Sequence, residues 1–315
     1  MSGQRGPFVE NNFFNTVYTG NGAARNIVNN LDLAGRGGMV ISRRRDSPLT
    51  GVCSDTVTGV NNGFYLGAAA ARTNFSSPTS FAADGYALAN AAQFNTSGGT
   101  YVSWAFKRAA RFFDIVTFTS DGTTNQRIPH SLGIAPGMAM VHAATASSSF
   151  IVYNKGAGRD RFGTLSTTDA FSTATNSWGT SDPTAIDIGF NGAALGLSSG
   201  TSCVMYLFAD DAAQKGLIRS GIVTTSAGAL TANFGWAPEL LLIKLLNGVS
   251  GWECFDQTRG WATGTQRILD WNGSNAENNT NVNIVLPTST GFQISGGWTN
   301  EQIAFLAIRK GPMKT

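Results

Sequence analysis

Residues Thr100–Gly122, TYVSWAFKRAARFFDIVTFTSDG, join the end of one structural unit to the start of the next. Tyr101 to Phe106 is a run of aromatic and β-branched residues with alternating faces, the pattern of a strand. Ile115 to Thr119 repeats that pattern, and Ser120-Asp121-Gly122 supplies a turn. The charged segment Lys107 to Phe113 between them reads as a solvated connector. Both halves recur elsewhere in the chain.

Internal repeats are sought first, because missing them misreads the fold. Tyr18-Thr19-Gly20-Asn21-Gly22, Phe118-Thr119-Ser120-Asp121-Gly122 and Thr224-Thr225-Ser226-Ala227-Gly228 are three versions of one opening. Gly37-Gly38-Met39, Ala135-Pro136-Gly137-Met138 and Ala237-Pro238-Glu239-Leu240 follow, each leading into an apolar run. Pro78-Thr79, Pro183-Thr184 and Pro287-Thr288 then recur roughly 100 residues apart. Trp104-Ala105-Phe106, Tyr206-Leu207-Phe208 and Leu306-Ala307-Ile308 close the units. The expected organisation is an N-terminal arm over 1–12, then β repeats over 13–111, 112–216 and 217–315.

With 38 glycines, 13% charged residues and no long amphipathic helical pattern, the composition favours an all-β protein rich in turns. Units of about 100 residues with roughly six to eight short strands fit tandem β-sandwich-like repeats, since propeller blades run near 45 residues. A net charge of +3 gives no ground for a nucleic-acid partner. No apolar span of roughly 18 residues predicts membrane insertion, and no leader peptide is evident. Cys53, Cys203 and Cys254 lack metal-ligand spacing and read as buried thiols, so neither metal nor cofactor is expected.

Candidate sites are few. Arg43-Arg44-Arg45-Asp46 invites an anion site, but strand alternation and Asp46 favour a solvated strand end or a subunit contact. The run Ala68 to Ala71 could start a short helix. His130 and His142 have no nucleophile or orienting acid in a local motif and read as structural. Residues 271–283, WNGSNAENNTNVN, form a polar loop in which Trp271 could stack a sugar ring while Asn272, Asn275 and Asn278 bond its edges. The same composition suits any large surface loop. No catalytic motif is present, although carboxylates from different loops could still meet in the fold.

The segments Trp104 to Ala109, Phe112 to Thr119, His130 to Gly133 and Pro136 to Met138 together resemble a repeated domain of tailed-phage virion proteins, common in phages of aquatic bacteria. The ending Ala307 to Met313 is similar to the C-terminal ending in that group. The resemblance is strong over 112–315 and weaker over 13–111, and repeat two departs from it with a Gly- and Ser-rich centre. It implies a non-enzymatic virion component, made in the host cytoplasm and more at home on the tail than on the capsid. Its expected partners are other virion proteins, further copies of itself in an oligomer such as a trimer, and a host surface glycan. The resemblance brings no catalytic residues. Capsid decoration and a lectin-like carbohydrate-binding module are the alternatives.

Overall fold

A computed structural model describes residues 8–213, 216–226, 229–263, 266–280 and 284–311. Most of the expected N-terminal arm, Ala227-Gly228 of the third opening turn, residues 281–283 of the asparagine-rich loop and the end of the C-terminal signature lie outside the described residues. The fold is all-β, and among the described residues the strand pairing is antiparallel and the one α-helix is the four-residue Leu33–Arg36.

Three six-stranded sheets dominate. Sheet I runs Phe13–Thr19, Thr100–Lys107, Gly38–Arg44, Val52–Asp55, Asn62–Tyr65, Thr73–Asn74. Sheet II runs Phe113–Thr119, Ser202–Ala209, Pro136–Ala143, Ile151–Asn154, Arg161–Thr164, Ser172–Thr173. Sheet III runs Ile218–Thr224, Gln302–Arg309, Pro238–Leu245, Glu253–Asp256, Gln266–Asp270, Asn278–Thr280. In each, the first strand of the segment pairs with its last, and the register matches position by position. Ile41 faces Trp104 as Met140 faces Tyr206 and Leu242 faces Leu306.

The long strands are apolar on both faces because both faces are covered, as in sheets sandwiched between layers. One face of each sheet carries a smaller antiparallel sheet. Val40 and Ala105 of sheet I pack on Ile27, Tyr86 and Leu88, and Leu241 and Phe305 of sheet III pack on Phe292 and Ile294. The alternate residues, Met39, Ile41, Trp104 and Phe106 among them, enter one core with Met138, Met140 and Tyr206 of sheet II and with Leu240, Leu242 and Leu306 of sheet III. The three sheets are therefore welded through a continuous interior.

This interior corrects two local expectations. Lys107 to Phe113 is a solvated connector only in part: Ala110 and Arg111 are exposed, but Phe112 and Phe113 are buried, and Arg108 pairs with Asp114 and Arg111 with Asp211. The alanine run is not helical; it forms a turn, and Ala70 bridges to Ser148 of the neighbouring segment. The three cysteines are buried and free, with Cys53 and Cys254 at the same register position of sheets I and III.

Candidate functional site

Where two large sheets meet, the last strand of one reaches the end of the fourth strand of the next. The contacts form a closed ring: sheet I to III, III to II, II to I. Trp104 donates its indole N–H to Asp256 Oδ2 at 3.0 Å, and Tyr206 donates its hydroxyl to Asp55 Oδ2 at 2.6 Å. The third equivalent pair is Leu306 and Asn154, which line one small gap. Leucine offers no donor, and the residue it faces carries no charge. An unpaired buried carboxylate there would be costly.

A second equivalent set is basic. Arg43, His142 and Lys244 occupy one register position in the three sheets, opposite Val102, Val204 and Ala304. Lys244 Nζ donates to the carbonyls of Thr168 and Ser250, both at 2.7 Å. His142 is fully buried between Phe64 and Phe150, with Nδ1 2.6 Å from Ala143 O, and burial holds its pKa below the usual value. His130 is likewise buried, with its pKa lowered by burial against the pull of Asp114 and Asp187.

Arg43 does something different. It is 1% exposed, which overturns a solvated strand end or a subunit contact for this residue. Its Nε donates to Asp270 O at 3.2 Å and its Nη2 to Asn275 O at 2.8 Å, while Nη1 has no hydrogen-bond partner among the described residues. Arg43 thereby ties the arginine run to the asparagine-rich loop. Arg45 extends the tie by pairing with Glu277 at 2.6 Å, a carboxylate that also receives Arg259 at 3.2 Å. Arg259, fully buried, pairs with Asp256 and lies 5.3 Å over the Trp104 ring. Arg44 alone faces outward, paired with Asp46 and near the Tyr101 ring.

The seam between sheets I and III encloses a polar cleft of about 170 Å³ lined by Arg43, Glu253, Ile268, Asp270, Asn275, Ala276 and Asn278. An adjoining compartment of about 160 Å³ shares Glu253 and Ile268 and is walled by Phe255, Val285, Ile284 and Trp298. Glu253 and Asp270 stand directly opposite each other across neighbouring strands. Burial, then the nearby Asp270, pushes the Glu253 carboxyl up to about 7 against the pull of Lys244. Asp270 is also raised by burial, opposed by Arg43 and Lys244. Burial brings Arg43 down to about 10 and Lys244 to about 8.

Of the residues singled out in the sequence, Arg43, Asn275 and Asn278 meet at this cleft. Trp271 does not: it is fully buried, its ring 6.2 Å from that of Trp104, so it cannot serve as an exposed platform for a sugar. It takes the place that Leu66 and Leu165 hold in the other segments, and the backbone N–H at all three positions bonds back across the same strand pair. Asn272 is structural, accepting from Trp252 N at 2.9 Å and donating to Thr167 O at 3.1 Å. Glu253, Asp270, Asp256, Arg259 and Glu277 carry no local motif. Comparison of the three sheets exposes Glu253 and Asp270, because the pairs at the same register position in sheets I and II are Val52 with Tyr65 and Ile151 with Thr164.

Among the described residues no group of three or more His, Cys, Asp or Glu side chains is arranged to hold a metal ion. None of the described helices is long and apolar enough to cross a membrane. The family described as Domain of unknown function (DUF7483) matches residues 10–302, and the chain belongs to it. That single match spans all three large sheets, in keeping with their common core. No curated protein is similar enough to count as a match.

Proposed function

We propose that this protein is a non-enzymatic structural component of a tailed-phage virion, a tail-associated fibre, spike or peripheral baseplate part that contributes to host attachment. The observation that carries the reading is the closed ring of three sheets on one continuous core, with a polar cleft at the seam between sheets I and III. A body of this kind suits repeated assembly and surface contact better than turnover, which usually asks for a deep pocket and mobile covering loops. The resemblance of Trp104 to Ala109 and Phe112 to Thr119 to virion domains supports the same class. On this reading the chain works as an oligomer, such as a trimer, with other virion proteins and a host surface glycan as partners.

A capsid decoration role is the second reading. It draws support from the ring itself, which presents three related faces that could seat among three neighbours on a lattice. Cryo-electron microscopy of particles carrying this protein separates the two. Density at the tail or baseplate is the expected result, density on the capsid lattice supports decoration, and absence of the chain from particles overturns both.

A further inference from the structure

The three sheets serve as controls for one another. At one register position sheet I pairs Val52 with Tyr65 and sheet II pairs Ile151 with Thr164, whereas sheet III pairs Glu253 with Asp270. Like charges directly opposite on neighbouring strands are destabilising, and apolar or neutral residues fill the position twice in this chain. The carboxylates therefore stand where stability alone does not call for them, and such departures mark functional sites. The guanidinium beside them is almost wholly buried, yet among the described residues Arg43 Nη1 and Asp270 Oδ1 have no hydrogen-bond partner.

We propose that this cleft binds one saccharide unit of a surface glycan, with its hydroxyls donating to Glu253 and Asp270 and accepting from Arg43, and with its apolar face against Trp298. The assignment deepens the host-attachment reading and rests on it for the source of the glycan. Sugar hydroxyls both donate and accept, so a site with two carboxylate acceptors and a free guanidinium donor suits adjacent hydroxyls. Asn275 and Asn278 add polar groups at the rim, and the apolar compartment beyond Ile268 takes the C–H face of a ring. The two compartments together reach the lower end of the size of small-molecule sites, about 300 Å³, which limits the ligand to one ring in the cleft.

The test is saturation-transfer NMR on the full chain with free hexoses, 6-deoxyhexoses and N-acetylhexosamines, with calcium chloride titrated separately. At least one saccharide is expected to bind, and Glu253→Gln and Asp270→Asn are each expected to weaken it by about tenfold or more. Asp121→Asn, exposed in the turn after Phe113–Thr119, leaves binding unchanged. Trp298→Ala, at a partly exposed position, provides a second loss-of-binding variant if the buried changes impair folding. The proposal is overturned if no saccharide binds, if binding survives all three cleft variants with the fold intact by circular dichroism, or if only calcium binds. Hydrolysis of aryl glycosides that is lost in Glu253→Gln would support saccharide recognition and overturn the non-enzymatic reading. Particle imaging tests the virion reading independently of any of these results.

Discussion

The seam between sheets II and I and the seam between sheets I and III start from the same plan and end differently. At the first, His142, Phe64 and Phe150 close the interior with rings 4.5 to 5.9 Å apart, and Asp55 is met by the neutral hydroxyl of Tyr206. At the second, the equivalent basic residue is Arg43, the equivalent carboxylate Asp256 carries a buried Arg259, and a polar cleft stays open beside them. The shared register shows that the fold tolerates either filling. What the second seam adds is charge, placed where the first has aromatic packing.

The largest test of this contrast is the pair of carboxylates that anchor the seams. Asp256→Asn leaves the fully buried Arg259 short of a charge partner and is expected to cost about 3–5 kcal/mol in urea unfolding. Asp55→Asn loses only part of a set of bonds from Tyr206, Val57, Thr58 and their like, and should cost about 1–2 kcal/mol. Equal losses would break the distinction. Trp104→Ala removes a fully buried indole and is expected to cost about 3–5 kcal/mol, whereas Trp104→Phe, which deletes mainly the bond to Asp256, should cost about 1.5–3 kcal/mol. A Trp104→Ala change below about 1 kcal/mol would remove it from the core.

The acidic pair makes stability depend on pH. Glu253 titrates near 4.5 ordinarily and near 7 in the fold, so between these values the folded chain holds a proton that the unfolded chain lacks. Its stabilising contribution is complete below about pH 4.5 and is lost as pH rises through 7. Asp270, also raised, acts in the same direction, while Lys244, lowered to about 8, contributes stability only as pH rises through and above that value. Relative to Glu253→Gln, the wild-type chain should lose about 1–2 kcal/mol between pH 5 and 7, a figure already reduced for partial exposure and for Lys244 and Arg43 nearby. Parallel pH profiles would contradict the buried placement of Glu253. The smallest effect belongs to Arg44→Ala, whose partly exposed pair with Asp46 should change stability by less than about 0.5 kcal/mol.

Much of the fold was legible because the decisive strands are buried on both faces. Pro238–Leu245 stands out as an apolar run broken only by Glu239 and Lys244, and Thr100–Lys107 as a dense strand of aromatic and β-branched residues, and such strands need no tertiary knowledge to recognise. The site was only half legible. Arg43 and Asn275 each drew attention, but they lie 232 residues apart in the chain and meet only because the ring of sheets closes. Trp271 misled for a local reason: its polar neighbours suggest an exposed loop, whereas its register makes it a core residue like Leu66 and Leu165. Glu253 and Asp270 carry no motif, and their meaning comes from comparison with Val52, Tyr65, Ile151 and Thr164.

The claim that sheet III gives up stability to keep a charged cleft is tested most directly by copying sheet II into it. The double variant Glu253→Ile with Asp270→Thr is measured by urea unfolding at pH 7 beside the wild-type chain. The account predicts a rise of about 1–2 kcal/mol together with loss of saccharide binding, since burial raises both carboxyls, and Asp270 raises Glu253 further, despite Arg43 and Lys244, and both cations keep their bonds to backbone carbonyls. A fall of similar size would mean that the acidic pair holds the seam together, and that the cleft is structure and not a site.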